Sequence, residues 1–106
     1  PELSTLADSL GGGIGLENAY TFEMTRDLVD EIVLVSEDEI ASAIHHAYWH
    51  EHQIIEGSGA VGIAALLSRK VLLDGPTALL LSGGNIEMAL HHRIIAGEVL
   101  DVMTEV

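Results

Sequence analysis

Apolar positions along this chain fall into two kinds of run, and their spacing predicts helices alternating with strands. Ile40, Ala43, Ile44 and Ala47 recur at the period of an amphipathic helix, a stripe that a helix over residues 37–51 would bury. Ser36 and Glu39 stand at the spacing of a capping box before that stripe, and Glu37, Asp38 and Glu39 suit the positive end of the helix dipole. Two other runs are continuously apolar. Residues 31–35 (Glu31-Ile32-Val33-Leu34-Val35) and 77–81 (Thr77-Ala78-Leu79-Leu80-Leu81) read as parallel strands covered on both faces. Thr21 is placed to cap a short helix over residues 22–29, with Phe22, Met24 and Leu28 partly buried. Ser58 is placed to cap a helix over residues 59–70 whose first half is apolar or small on all sides. A last helix over residues 86–96 carries Ile86, Leu90 and Ile94 on its core side and stops at Gly97. Asp74-Gly75-Pro76 marks a turn, and residues 98–106 fit no single element.

Helices separated by two strands predict an α/β fold, a partial parallel sheet with covering helices. Two strands are few for a stable sheet. The unit calls for more sheet than 106 residues provide. The chain also begins at Pro1, within a loop-like stretch, which points to a piece of a longer polypeptide or to a processed product.

Charge and composition narrow the function. Acidic residues outnumber basic ones 17 to 4, for a formal charge of −13, which argues against nucleic acid or an anionic membrane as partner. The absence of cysteine excludes disulfides and thiolate metal sites, and fits a reducing compartment. No apolar run is long enough to span a bilayer.

Candidate chemistry is sparse. His46 and His50 stand at i, i+4, a spacing that can chelate a metal, but no glutamate follows His46 directly and no third ligand has a recognisable spacing. With His45 and His52 they read as a solvated face, and His91 and His92 as surface residues. No metal site is expected. The single lysine, Lys70, ends Ser68-Arg69-Lys70, where a cation is ordinary helix-end chemistry. Ser82 has no Gly-x-Ser-x-Gly context, so no nucleophile is expected. What remains are two glycine-rich turns, residues 56–62 and 82–85. The second closes a buried run and leads into a helix, the place where α/β folds hold ligands. Gly59 and Gly62 permit close approach, either of packed backbone or of a flat ligand. The glycines at 11–13 follow a poor strand and read as an ordered loop.

Taken in order, these stretches carry a resemblance. Glu56-Gly57-Ser58-Gly59-Ala60-Val61-Gly62-Ile63-Ala64-Ala65-Leu66, followed by Leu81-Ser82-Gly83-Gly84-Asn85, resembles the carboxyl-terminal part of pyridoxal-phosphate-dependent threonine/serine dehydratases. Leu6-Ala7-Asp8-Ser9, Arg26-Asp27-Leu28-Val29-Asp30 and Val35-Ser36-Glu37-Asp38-Glu39-Ile40 fall in that family's order. The string from Ala7 to Asn18 is most similar to the hydroxyectoine-utilisation branch.

The resemblance implies a fold-type II enzyme, tryptophan synthase β-like. Residues 1–106 would be a single fragment of its large, cofactor-binding domain, with 1–20 as a glycine-rich loop region. The parent would be a cytoplasmic homo-oligomer that uses pyridoxal phosphate to eliminate water from a β-hydroxy amino acid, giving a 2-oxo acid and ammonia. By the same likeness Ser82 would meet the pyridine nitrogen, and Gly83, Gly84 and Asn85 would shape the turn beside it. Glu56 would lie near the ring, or else serve as a helix N-terminal acid. The family's Schiff-base lysine, in a Ser-x-Lys-x-Arg context, is absent from this sequence, and Lys70 does not replace it. The phosphate loop and the metal ligands of some relatives would precede Pro1. Ser9 stands where many relatives have glycine after Ala-Asp. The fragment alone is therefore expected to bind no cofactor and to be inactive. A rival reading is a non-enzymatic α/β module that binds a small ligand or oligomerises through exposed sheet edges.

Overall fold

A computed structural model describes residues 4–10 and 20–98. Among the described residues four helices are formed: α1 (Thr21–Leu28), α2 (Glu37–Glu51), α3 (Val61–Leu67) and α4 (Met88–Ile95), with 3-10 turns at Asp8–Leu10 and Ser58–Ala60. The glycine-rich loop at 11–13 and the end of the tail, 99–106, lie outside the described residues.

Helix α2 is the centre of the fold. The Glu39 amide donates to Ser36 Oγ at 3.2 Å, and the Ser36 amide donates to Glu39 Oε1 at 2.7 Å, which completes the expected capping box. A cap of this kind stabilises a helix by about 1 kcal/mol. Ile40, Ala43, Ile44 and Ala47 are all buried, as their spacing predicts. Three of them, Ala43, Ile44 and Ala47, are wholly enclosed. The alanines let neighbouring helices approach closely, and α3 and α4 both pack on α2. Burying Ile44 contributes about 1.5–3 kcal/mol. The helix ends at His52, which takes a left-handed φ of 56°.

The ends of α2 are tied to other parts of the chain. At its start, Glu37 accepts from the Leu6 amide at 2.7 Å and from the Thr5 hydroxyl, which draws Leu6 and Ala7 into the core. At its finish, Trp49 Nε1 donates to the Ile95 carbonyl at 2.9 Å, fastening α2 to the end of α4.

Several expectations are corrected. Residues 31–35 and 77–81 form no strand among the described residues, so the expected sheet is not seen. Nor are they covered on both faces: Ile32, Leu34 and Leu80 are 75%, 80% and 84% exposed. Helix α1 starts one residue early, with Thr21 in its first turn and no side-chain cap, and Phe22, Met24 and Leu28 stand exposed. Ser58 does not cap α3. The chain passes through the 3-10 turn, α3 begins at Val61, and Ser58 Oγ is buried with no hydrogen-bond partner among the described residues. Helix α4 is shorter than expected, starting at Met88, but it stops as predicted at Gly97, whose φ of 82° suits glycine.

Candidate functional site

The link at 53–55 leaves α2 and inserts Ile55 into the core, which sets Glu56 at the mouth of the first glycine turn. Backbone packs on backbone there. A side chain at Gly57 would run into the Leu6 carbonyl, and one at Gly59 would lie 2.9 Å from the Gly83 nitrogen and 3.0 Å from its oxygen. The Glu56 amide donates to the Gly83 carbonyl at 2.9 Å. The Glu56 carboxylate fills the space that a side chain at Gly83 would need, and a Cβ at Gly84 would stand 3.1 Å from the Ile54 carbonyl. The two glycine-rich turns are therefore one structure, joined through Glu56 and Gly59 on one side and Gly83 on the other.

Of the residues singled out from the sequence, Glu56 and Gly83 are in direct contact, and Ser82 adjoins them with its amide close to Gly59. Asn85 sits at the apex of a tight turn in which the Ile86 amide donates to the Gly84 carbonyl at 3.0 Å. Ser82, Gly84 and Asn85 are exposed, whereas Glu56 and Gly83 are half-buried. Gly62 makes only an ordinary contact, 3.6 Å from Leu79 Cδ2. The close approach allowed by glycine at 59 is thus to the second turn's own backbone.

The histidines separate into two groups. The His46 and His50 rings stack with centroids 4.6 Å apart, and His46 Nε2 lies 3.6 Å from Glu51 Oε1 on an accessible face. No group of three metal-ligating side chains occurs among the described residues. His91 departs from expectation: it is buried between α4 and α2, with its ring edge-on to Tyr48 at 5.4 Å. Its Nε2 has no hydrogen-bond partner among the described residues, and burial holds its pKa below the ordinary value. The missed signal is its position three residues before Ile94, on the same helix face. Lys70 lies beyond α3 and donates to Glu39 Oε1 at 2.7 Å and to the Leu34 carbonyl at 2.8 Å, a structural tie away from the glycine turns. No helix among the described residues is long and apolar enough to cross a membrane.

The family described as pyridoxal-phosphate dependent enzyme matches residues 1–83, and the chain belongs to it. Pyridoxal phosphate is accordingly the cofactor of the family, whose architecture is α/β. The chain is 61% identical over 99 residues to a Sinorhizobium fredii protein named "Putative threonine dehydratase", covering 92% of this chain and 30% of that protein. It is 47% identical over 89 residues to an L-threonine ammonia-lyase of Geobacter sulfurreducens, covering 83% of this chain and 22% of that enzyme. It is 40% identical over 91 residues to an L-threonine ammonia-lyase of Thermotoga maritima, covering 86% and 22%. The chain thus spans less than a third of the length of these relatives.

Proposed function

We propose that this chain is the carboxyl-terminal part of the large domain of a pyridoxal-phosphate-dependent threonine/serine dehydratase. In this reading residues 31–35 and 77–81 are strands of a parallel sheet whose other strands belong to the rest of the polypeptide. The parent, a cytoplasmic homo-oligomer, eliminates water from a β-hydroxy amino acid to give a 2-oxo acid and ammonia. The observation that carries the proposal is the 61% identity to the Sinorhizobium protein across nearly the whole chain. The string from Ala7 to Asn18 favours a role in hydroxyectoine utilisation.

The residues present suit the cofactor. Ser82 is exposed, and Gly83 and Gly84 beside it pack against Glu56 and the Ile54 carbonyl, which fixes the turn that carries Ser82. Ser82 would meet the ring nitrogen, Gly83, Gly84 and Asn85 would form the turn along the ring edge, and Glu56 would stand behind Gly83. When bound, pyridoxal phosphate supplies the electron sink for elimination. A neutral hydroxyl at the ring nitrogen leaves that nitrogen less protonated than a carboxylate would, which suits loss of a β-hydroxyl. The proton-abstracting lysine and the phosphate loop belong to the part of the parent outside this sequence, so the chain alone has no turnover.

The test compares the full-length protein with the 106-residue chain, both supplied with pyridoxal phosphate and with threonine or serine. Ammonia and 2-oxo acid released only by the full-length protein are the expected result. Turnover by the short chain would overturn the division of the site, and no turnover by the full-length protein would overturn the dehydratase reading. Loss of growth on hydroxyectoine after deletion of the gene tests the branch.

A further inference from the structure

We propose that Gly59 is a positioning residue for Ser82, acting through the Gly83 peptide. The inference rests on the role proposed above for Ser82. A Cβ built at Gly59 meets the Gly83 nitrogen at 2.9 Å, the Gly83 oxygen at 3.0 Å and the Ser82 nitrogen at 3.4 Å. All three are backbone atoms, so none can swing aside as the end of a side chain would. The stretch of backbone they belong to, Ser82 to Gly83, is also held by Glu56, because the Gly83 carbonyl accepts from the Glu56 amide at 2.9 Å and the Glu56 carboxylate covers Gly83.

The requirement at residue 59 is one of space, since its φ lies outside the left-handed region. Gly62, one turn further on, has only a movable leucine methyl at 3.6 Å. The two glycines of one motif therefore differ: a methyl is tolerated at 62, whereas at 59 it displaces the Ser82–Gly83 peptide. Hydrogen bonds weaken steeply outside their preferred distance and angle, so a small displacement of Ser82 is felt at whatever its hydroxyl contacts.

The experiment places Gly59→Ala, Gly62→Ala and Ser82→Ala in the full-length protein. It reads pyridoxal phosphate affinity by titration of the apoprotein, the absorbance of the bound cofactor across pH, and thermal unfolding of the apoprotein. Gly59→Ala is expected to unfold at a lower temperature than wild type because the shift falls on backbone, to shift the cofactor absorbance in the same direction as Ser82→Ala, and to lower affinity about 10-fold. Gly62→Ala is expected to match wild type. A wild-type spectrum and affinity for Gly59→Ala, beside a changed Ser82→Ala, would overturn the positioning role alone. An unchanged Ser82→Ala would overturn the cofactor-facing reading of Ser82 and the inference with it. Should Gly59→Ala not fold, the crystal structure of the wild-type full-length protein with cofactor decides: Gly59 packed on the Gly83 peptide supports the inference, and a side chain's width of space between them overturns it.

Discussion

Lys70 Nζ lies 2.7 Å from Glu39 Oε1, and the same ammonium donates to the Leu34 carbonyl at 2.8 Å. One cation thereby joins the chain beyond α3 to the first turn of α2 and to the segment that enters it. The hydrogen bond from Lys70, followed by that from the Ser36 amide, lowers the Glu39 pKa from 4.5 to about 2. A depressed carboxylate pKa favours the folded state above pH 4.5, and that contribution is lost as pH falls towards 2. Lys70→Met should therefore lower the urea midpoint modestly at pH 7. The gap from wild type should close between pH 4.5 and about 2, and it should also shrink in high salt because the pair is partly exposed. A gap that persists unchanged at pH 2 would show that Lys70 acts through packing or its bond to the Leu34 carbonyl rather than through Glu39.

His91 gives a pH dependence of the same sign in a higher pH range. Its ring is buried against Tyr48 from α2, with His92 and Arg93 beside it on α4, and desolvation lowers its pKa below 6.5. The unfolded chain then binds the proton more readily, so stability falls as pH drops below 6.5 and the penalty is absent above it. His91→Phe should remove that part of the pH dependence. It should also stabilise the protein by about 1 kcal/mol at pH 7, because a buried nitrogen without a partner is replaced by carbon. Chemical denaturation at pH 7.5, 6.5 and 5.5 measures both effects. An identical decline in wild type and variant would remove His91 as the source.

What could be read from the sequence depended on whether the cause was local. The capping box of Ser36 and Glu39 and the stripe from Ile40 to Ala47 need only their own helix, and both appear as expected. Gly97 likewise ends α4 through its own φ. Strand pairing at 31–35 and 77–81 depends on partners elsewhere, and among the described residues none is present. The site was legible as two turns and a resemblance. That the turns meet through Glu56, Gly59 and Gly83 is a matter of tertiary packing, which spacing along the chain does not encode. Ser58 shows how a rule misleads: a serine before an apolar helix reads as a cap, yet the 3-10 turn carries it into the interior.

Ser58 therefore responds to substitution unlike a cap. Removing a capping serine destabilises a protein by about 1 kcal/mol. Here Oγ is buried without a hydrogen-bond partner among the described residues, so Ser58→Ala deletes an unsatisfied polar atom. The expected change is neutral to stabilising by up to about 1 kcal/mol. Thermal unfolding of wild type and variant separates the two roles by sign. A clear loss would mean that the hydroxyl finds a partner in the full-length protein.

The apolar residues left in solvent predict how the isolated chain behaves. Ile32, Leu34, Leu72 and Leu80 are between 75% and 87% exposed, and the segments that carry three of them form no strand ladder among the described residues. Exposed apolar area of this kind, at about 25 cal/mol per Å², is a driving force for association, and an open edge gives it direction. The 106-residue chain alone should self-associate in sedimentation velocity, despite a charge of −13 that opposes it. Leu80→Lys and Leu34→Lys should each reduce association, and added salt should increase it by screening the repulsion. In the full-length protein the same lysines should instead destabilise the fold, because the remaining strands cover these positions in the proposed sheet. A chain that stays monomeric at high concentration and high salt would mean that its apolar segments close upon themselves, and the proposed sheet would lose its support.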